Sequence, residues 1–244
     1  MSLKKVSIRE IGLRRNHLYE ILATTVSKDE TLKEITPNTS CMGIRVIQDD
    51  ILTIGPYPTT QTYKNLKDNG LLTINLADNI KFYAIAALKA EIIDSSRGIQ
   101  GFSLRDYGFR DVMIQNEKTK ERYLYSFPFL KEAWASIFCK AIDKKEYTKQ
   151  DGLGKTRLTQ FKMRVLECIK INDSYKLFNR AENLALELII LATRLKVARE
   201  MSNESLFQTL QTKYQDIKQD ILRFSKNEHA LKSIELTDRY IQQL

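Results

Sequence analysis

Every glycine and proline of this chain lies at or before Gly154; the segment that follows has neither. Because glycine and proline interrupt helices and shape turns, this asymmetry separates a part that must bend often from a part that need not bend at all. In the second part Phe178, Ala181, Ala185, Leu188, Ala192 and Leu195 recur at spacings of three and four, and further helical runs cover 206–224 and 230–244 after Ser-Asn and Asn-Glu breaks. The first part carries β-rich runs at Ile21–Val26, at Ser40–Ile47 and at Ile51–Ile54, the last two joined by Gln-Asp-Asp as a hairpin. Strands return at Ala133–Ile142 and Arg157–Ile171, around a turn containing Asp151-Gly-Leu-Gly154. No low-complexity linker intervenes. The expectation is an α+β chain, with a mixed body over 1–172 and a helical C-terminal unit over 173–244. Residues 95–128, punctuated by Gly98, Gly101 and Gly108, show no dominant period and read as long loops with room for one short helix.

Composition narrows the function classes. With 244 residues and 43% apolar content the chain can bury an ordinary core. The longest apolar run, Leu184 to Ala192, is interrupted by Glu187 and is too short to cross a bilayer, and Met-Ser-Leu-Lys-Lys-Val lacks the apolar core of a secretory signal, so a cytoplasmic protein is expected. Cys41, Cys139 and Cys168 have no close pairing, and His17 and His229 have no partner at ligand spacing. Neither a disulfide scaffold nor a metal centre is expected. The net charge of +9 suits anionic ligands, yet Lys and Arg are interleaved with acids, as in Lys140-Ala-Ile-Asp-Lys-Lys-Glu146, which argues against a nucleic-acid face.

The run Gly55-Pro-Tyr-Pro-Thr-Thr-Gln-Thr-Tyr-Lys-Asn-Leu66 reads as a strand end, a turn and a short helix over Thr60–Asp68. Asn69-Gly70 stops that helix, Leu71–Leu76 is a buried strand, and Ile80–Leu88 is a second helix, with Asp78 and Asn79 placed to cap it. Thr59, Thr60 and Thr62 crowd the first helix's start. Either one of them caps the helix, or the free N–H groups and the positive dipole end receive a phosphate.

Several segments resemble a known family in the same order along the chain: Leu18-Tyr-Glu-Ile-Leu-Ala-Thr-Thr25, Met42-Gly-Ile44, Gln61-Thr-Tyr-Lys-Asn65 with its continuation to Asn75, Phe178-Asn-Arg-Ala181 and Ala192-Thr-Arg-Leu195. They look like the FMN-binding split-barrel (flavin-reductase-like) proteins grouped as domain of unknown function 447. The resemblance implies an FMN-binding split β-barrel that dimerises, with FMN at the subunit interface. It puts the flavin phosphate at Thr59, Thr60, Gln61 and Thr62, and the ring against the strand carrying Ser40, Cys41, Met42 and Gly43. Relatives commonly have Ala-Pro before Met-Gly where this chain has Ser40-Cys41. Cys41, with no basic neighbour closer than Arg45, reads as a packing residue rather than a redox thiol. Asn75 either satisfies a turn or, by its place in the motif, supports the phosphate loop or touches the cofactor. Arg180, Asn183, Glu187 and Arg194 share a helical stripe that is either solvated or internally salt-bridged, or brings Arg180 to an anion of cofactor or substrate.

The function expected from the resemblance is a homodimeric FMN flavoprotein, an oxidoreductase of unknown substrate and electron partner, with no catalytic side chain named. The alternative is a non-catalytic module that carries FMN or another phosphorylated ligand.

Overall fold

The fold is that of a computed structural model, which describes residues 3–28, 35–89, 100–115, 119–151, 154–173, 180–224 and 228–244. In chain order the elements are β1 (Lys4–Lys5), β2 (Leu18–Lys28), β3 (Ile35–Gln48), β4 (Ile51–Ile54), α1 (Gln61–Asp68), β5 (Leu71–Leu76) and α2 (Ile80–Leu88). A 3-10 turn at Leu104–Asp106 precedes β6 (Tyr107–Gln115) and β7 (Arg122–Leu130), and the long strands β8 (Ala135–Asp151) and β9 (Gly154–Lys170) lead to α3 (Arg180–Glu200), α4 (Glu204–Phe224) and α5 (Glu228–Ile241). The chain is α+β, as its β-rich runs and its later helical spacing lead one to expect.

Six strands, in the order β9-β4-β3-β2-β5-β8, make an antiparallel barrel that the pairing of β8 with β9 closes, while β1 adds to β9 from outside. Period-two alternation sorts the side chains. Ile21 and Ala23 of β2, Ile44 and Val46 of β3, Leu72, Ile74 and Leu76 of β5, Ile137 and Cys139 of β8, and Phe161 and Met163 of β9 form one buried core. Leu66 of α1 joins the same core, so this short helix faces the barrel interior.

The stretch expected to be looped holds a β-hairpin instead: β6 and β7 pair from Tyr107↔Leu130 to Gln115↔Arg122. Gly108 misled the sequence reading because it sits inside a strand for a packing reason. A Cβ there would lie 2.6 Å from Phe129 Cζ, so only glycine admits that ring. Phe127 and Phe129 of the hairpin join Leu71, Phe138 and Ile169 in a second buried cluster on the outer side of the barrel wall. Arg110 of β6 bonds Glu167 of β9 at 2.7 Å through both Nε and Nη2, and Lys5 of β1 pairs with the same carboxylate. One partly buried acid therefore ties three strands together.

The described residues fall into two compact units. The first holds the barrel, α1 and the hairpin. The second gathers α2 with the C-terminal helices α3, α4 and α5. Within this unit α2 packs with α3 and α5, and α3 with α4. Buried Tyr214 of α4 donates to Thr237 and Asp238 of α5, and Lys218 pairs with Asp238 at 2.8 Å. The α3–α4 corner follows the predicted Ser-Asn break, where Asn203 caps α4 by accepting from Leu206 N.

Candidate functional site

Three of the four residues expected to hold a phosphate have defined roles at the start of α1. Thr60 is the N-cap: its hydroxyl accepts from Tyr63 N at 3.2 Å and donates to the Tyr57 carbonyl at 2.7 Å. Thr62 turns inward and is fully buried, donating to Ser40 Oγ at 3.1 Å and accepting from Asn38 Nδ2 at 3.3 Å. Gln61 is exposed and donates to Asn65, whose amide reaches buried Thr25 at 3.0 Å. Thr59 is exposed. The hydroxyls of Thr60 and Thr62 are thus committed to the fold. What remains open at the helix start, among the described residues, is the Gln61 and Thr62 N–H groups, because Tyr63 N is capped by the Thr60 hydroxyl and Lys64 N bonds the Thr60 carbonyl.

The second predicted segment is the middle of β3. Its residues pair with β2 throughout, from Leu18↔Arg45 to Lys28↔Ile35, but with β4 only from Ile44 to Gln48. The edge of Ser40, Cys41, Met42 and Gly43 turned away from β2 therefore carries no strand pairing among the described residues. Alternation also divides these four. Met42 packs on the barrel core, on the same face as Ser40 with its bond to Thr62, whereas Cys41 and Gly43 lie on the opposite face. One ligand cannot meet all four side chains. It can meet their common backbone edge.

On the outer face Cys41 lies 4.0 Å from Glu20 Oε2, and a Cβ on Gly43 would come within 3.6 Å of the same carboxylate group. Burial and the Glu20 charge push the Cys41 thiol up to about 12, so it stays protonated and weakly nucleophilic at neutral pH. This agrees with a packing role.

Asn75 is fully buried, and its amide is saturated by the protein. It donates to the Leu22 carbonyl at 3.1 Å and to Thr24 at 2.9 Å, and accepts from Leu130 N at 2.9 Å and the Ser136 hydroxyl at 3.0 Å. From Thr24 the chain of hydroxyls continues to Thr39 and Tyr107, each step 2.7 Å. Asn75 thus joins β2, β7 and β8 and has no polar valence left for a ligand. Arg180 opens α3, but its side chain lies outside the described residues. The sequence reading missed Asn38, which bridges Ser40 and Thr62; its cue was the polar run Pro37-Asn-Thr-Ser40 ahead of the apolar part of β3.

The arrangement as a whole is two sets of backbone donors brought together by side-chain bonds: the α1 start and the open β3 edge, 22 residues apart in sequence, meet at Thr62 and Ser40. Among the described residues no group of three His, Cys, Asp or Glu side chains could hold a metal ion, and no helix is long and apolar enough to cross a membrane.

A protein of Methanosarcina mazei, MM1853, whose crystal structure is FMN-bound and carries the same family assignment, superposes with a TM-score of 0.65 over 96% of this chain and 99% of its own, at 17% identity. At that identity the likeness is one of fold. Flavoredoxin of Desulfovibrio vulgaris (Miyazaki F) gives a TM-score of 0.40 over 65% of this chain and 73% of its own, at 16% identity. In sequence, the uncharacterized protein MJ1453 of Methanocaldococcus jannaschii is 33% identical over 78 residues, 31% of this chain and 41% of that protein, so the match spans less than half of the relative's length. The family model described as the N-terminal domain of a protein of unknown function (DUF447) matches residues 19–172, which covers the barrel from β2 to the end of β9. Its fold is of the split-barrel type, and by the family match, which covers more than half of its residues, this chain belongs to the DUF447 family.

Proposed function

We propose that this protein is an FMN-binding flavoprotein of the flavin-reductase-like type that takes part in two-electron redox chemistry. The observation that carries the reading is the junction of α1 and β3 at Thr62 and Ser40. It sets the open Gln61 and Thr62 N–H groups, which suit a terminal phosphate, beside the unpaired edge of Ser40–Gly43, which suits the acceptor atoms of a flavin ring. The FMN-bound structure of MM1853, with the same overall fold, supports the same assignment.

These residues fit FMN through backbone donors and a helix end rather than through charged side chains. Bound FMN would supply the hydride or electron chemistry. The chain's own part is to bind and orient: Thr60 fixes the helix start, Asn38 and Ser40 anchor Thr62, and the Asn75 network sets the strand spacing behind β3. A homodimer with the cofactor at its interface belongs to the same proposal, since an open strand edge needs cover.

Titrating the apoprotein with FMN, FAD and riboflavin tests the reading. FMN should bind at least about tenfold tighter than riboflavin, the worth of one charge-assisted hydrogen bond. Equal affinity for the two would remove the phosphate site, and absence of any flavin binding would remove the proposal. Oxidation of a reduced nicotinamide by the FMN-loaded protein then separates an enzyme from a carrier.

A further inference from the structure

The segment from Ser7 to His17 has little regular structure yet is tightly built. Successive backbone bonds, Glu10 N to Ser7 O, Gly12 N to Arg9 O, Leu13 N to Ile8 O and His17 N to Arg14 O, coil it into turns. Six further bonds fasten it to the β3–β4 corner. Asn16 N donates to Val46 O and Val46 N to His17 O; Arg45 Nη1 donates to Asn16 O; Arg15 Nε donates to Ile47 O; and the Arg9 guanidinium holds both carboxylate oxygens of Asp49, at 2.8 and 2.6 Å. Gly12 holds a φ of +85°, which favours glycine, and nothing lies within 4 Å of where its Cβ would be.

That open space belongs to a cleft of about 400 Å³ lined by this loop with Val46 and Asp49, within the size range of small-ligand sites. Its floor is the buried apolar trio Ile8, Leu13 and Val46. Its only acid among the described lining residues, Asp49, is neutralised by Arg9. Two cations are left over. The Arg15 fork is oriented by its bond to Ile47 and keeps its terminal nitrogens, while the Arg14 guanidinium has no partner among the described residues, although Tyr19 OH fixes its backbone N–H at 2.9 Å. Two guanidinium forks beside an apolar floor match a dianion better than a monoanion, because each added negative charge meets a further fixed positive one.

We propose that this cleft is a binding site for a phosphate monoester with a small apolar body, read by Arg14 and Arg15. It is separate from the α1 site: Val46 lies six residues of extended strand beyond Ser40, about 20 Å at roughly 3.3 Å per residue.

The test is calorimetric titration of the full chain with phenyl phosphate at low salt, with saturating FMN present and again without it. Phenyl phosphate should bind one to one in both cases and at least about tenfold tighter than benzoate, an anion of the same body with one charge. Arg14→Gln should weaken it about tenfold, and since this side chain bonds nothing in the fold, the variant should melt like the parent. Lys213→Gln, on the exposed side of α4, should leave binding unchanged. No saturable binding, benzoate binding as tightly, or an unaltered affinity in Arg14→Gln would each overturn the proposal. A signal seen only without FMN would place the probe at the flavin site and overturn it as well.

Discussion

Asn75 offers the sharpest separation of a structural role from a ligand-binding one, and the hydrogen bonds around it give the magnitude. In Asn75→Ala four bonds disappear, two to backbone groups of Leu22 and Leu130 and two to the hydroxyls of Thr24 and Ser136, all at fully or nearly fully buried positions. At about 1 kcal/mol net for each bond the loss is roughly 4 kcal/mol, and partners left unpaired without access to water raise it further; about 3–5 kcal/mol is expected. Trp134, the only tryptophan, reports on the right unit: its backbone N–H bonds the carbonyl of Leu76, the residue after Asn75. Urea unfolding followed by tryptophan fluorescence, with the denaturant slope unchanged, should give the full loss. FMN affinity at urea-free conditions should stay within about threefold while the variant remains folded, less than 1 kcal/mol. A stability loss under about 1 kcal/mol, or a collapse of flavin affinity in a barrel of parental stability, would refute the structural assignment and return Asn75 to the ligand.

Gly108→Ala should cost about 1–3 kcal/mol by forcing Phe129 from its place, measured as a fall in the urea midpoint, whereas Gly101→Ala, with only the side chain of Lys89 at 3.4 Å, should cost less. Thr60→Ala should lower stability by about 1 kcal/mol through loss of the α1 cap, while Thr59→Ala, at an exposed position, should leave stability unchanged within about 0.5 kcal/mol in the same assay. Burial pushes the thiols of Cys41 and Cys168 and the phenol of Tyr107 up to about 12, and Cys139 upward as well, so the unfolded chain loses these protons first as pH rises. Stability should hold below about pH 8.5, the ordinary thiol value, and fall steadily from there to about pH 12 in urea titrations, and native protein at pH 8 should resist a thiol reagent that labels all three cysteines after unfolding. Light scattering should return twice the chain mass; a monomer that holds FMN tightly would sink the interface placement of the cofactor.

The barrel strands β2 to β5 and the helix α1 were legible because their signals are local. Turn residues bound each apolar run, and Asn69-Gly70 ends α1 where the sequence says it should. The β6–β7 hairpin was not legible. Gly108 and Pro128 look like breakers in a window, and only the long-range contact of Gly108 with Phe129 explains why a glycine sits in a strand there. The outer ends of β8 and β9 were read short for a different reason: Asp143 to Tyr147 are exposed and mostly charged, so no burial pattern marks them, and only the strand partner holds them extended. At the candidate site the sequence named two segments that the structure joins through Thr62 and Ser40, but not which of their atoms the fold itself uses. Thr62 looked like a phosphate donor because hydroxyls at a helix start usually face outward, yet its place about half a turn past the N-cap brings it against Ser40 and Asn38 instead. Single bonds of Asn75 reach up to 61 residues along the chain, a separation at which sequence patterns carry no signal.

The alternation along Ser40–Gly43 bears on how such a site changes over time. If the ligand reads the free edge of β3, it reads peptide groups, and nearly every residue presents the same peptide group as long as the strand stays extended. Side chains at 40 to 43 then answer to other constraints: bonding Thr62 and packing the core on one face, and small volume beside Glu20 and Leu18 on the other. Residue identities in this stretch therefore record the barrel's internal fit far more than the chemistry of what is bound, and two proteins could share the ligand while sharing almost none of these letters.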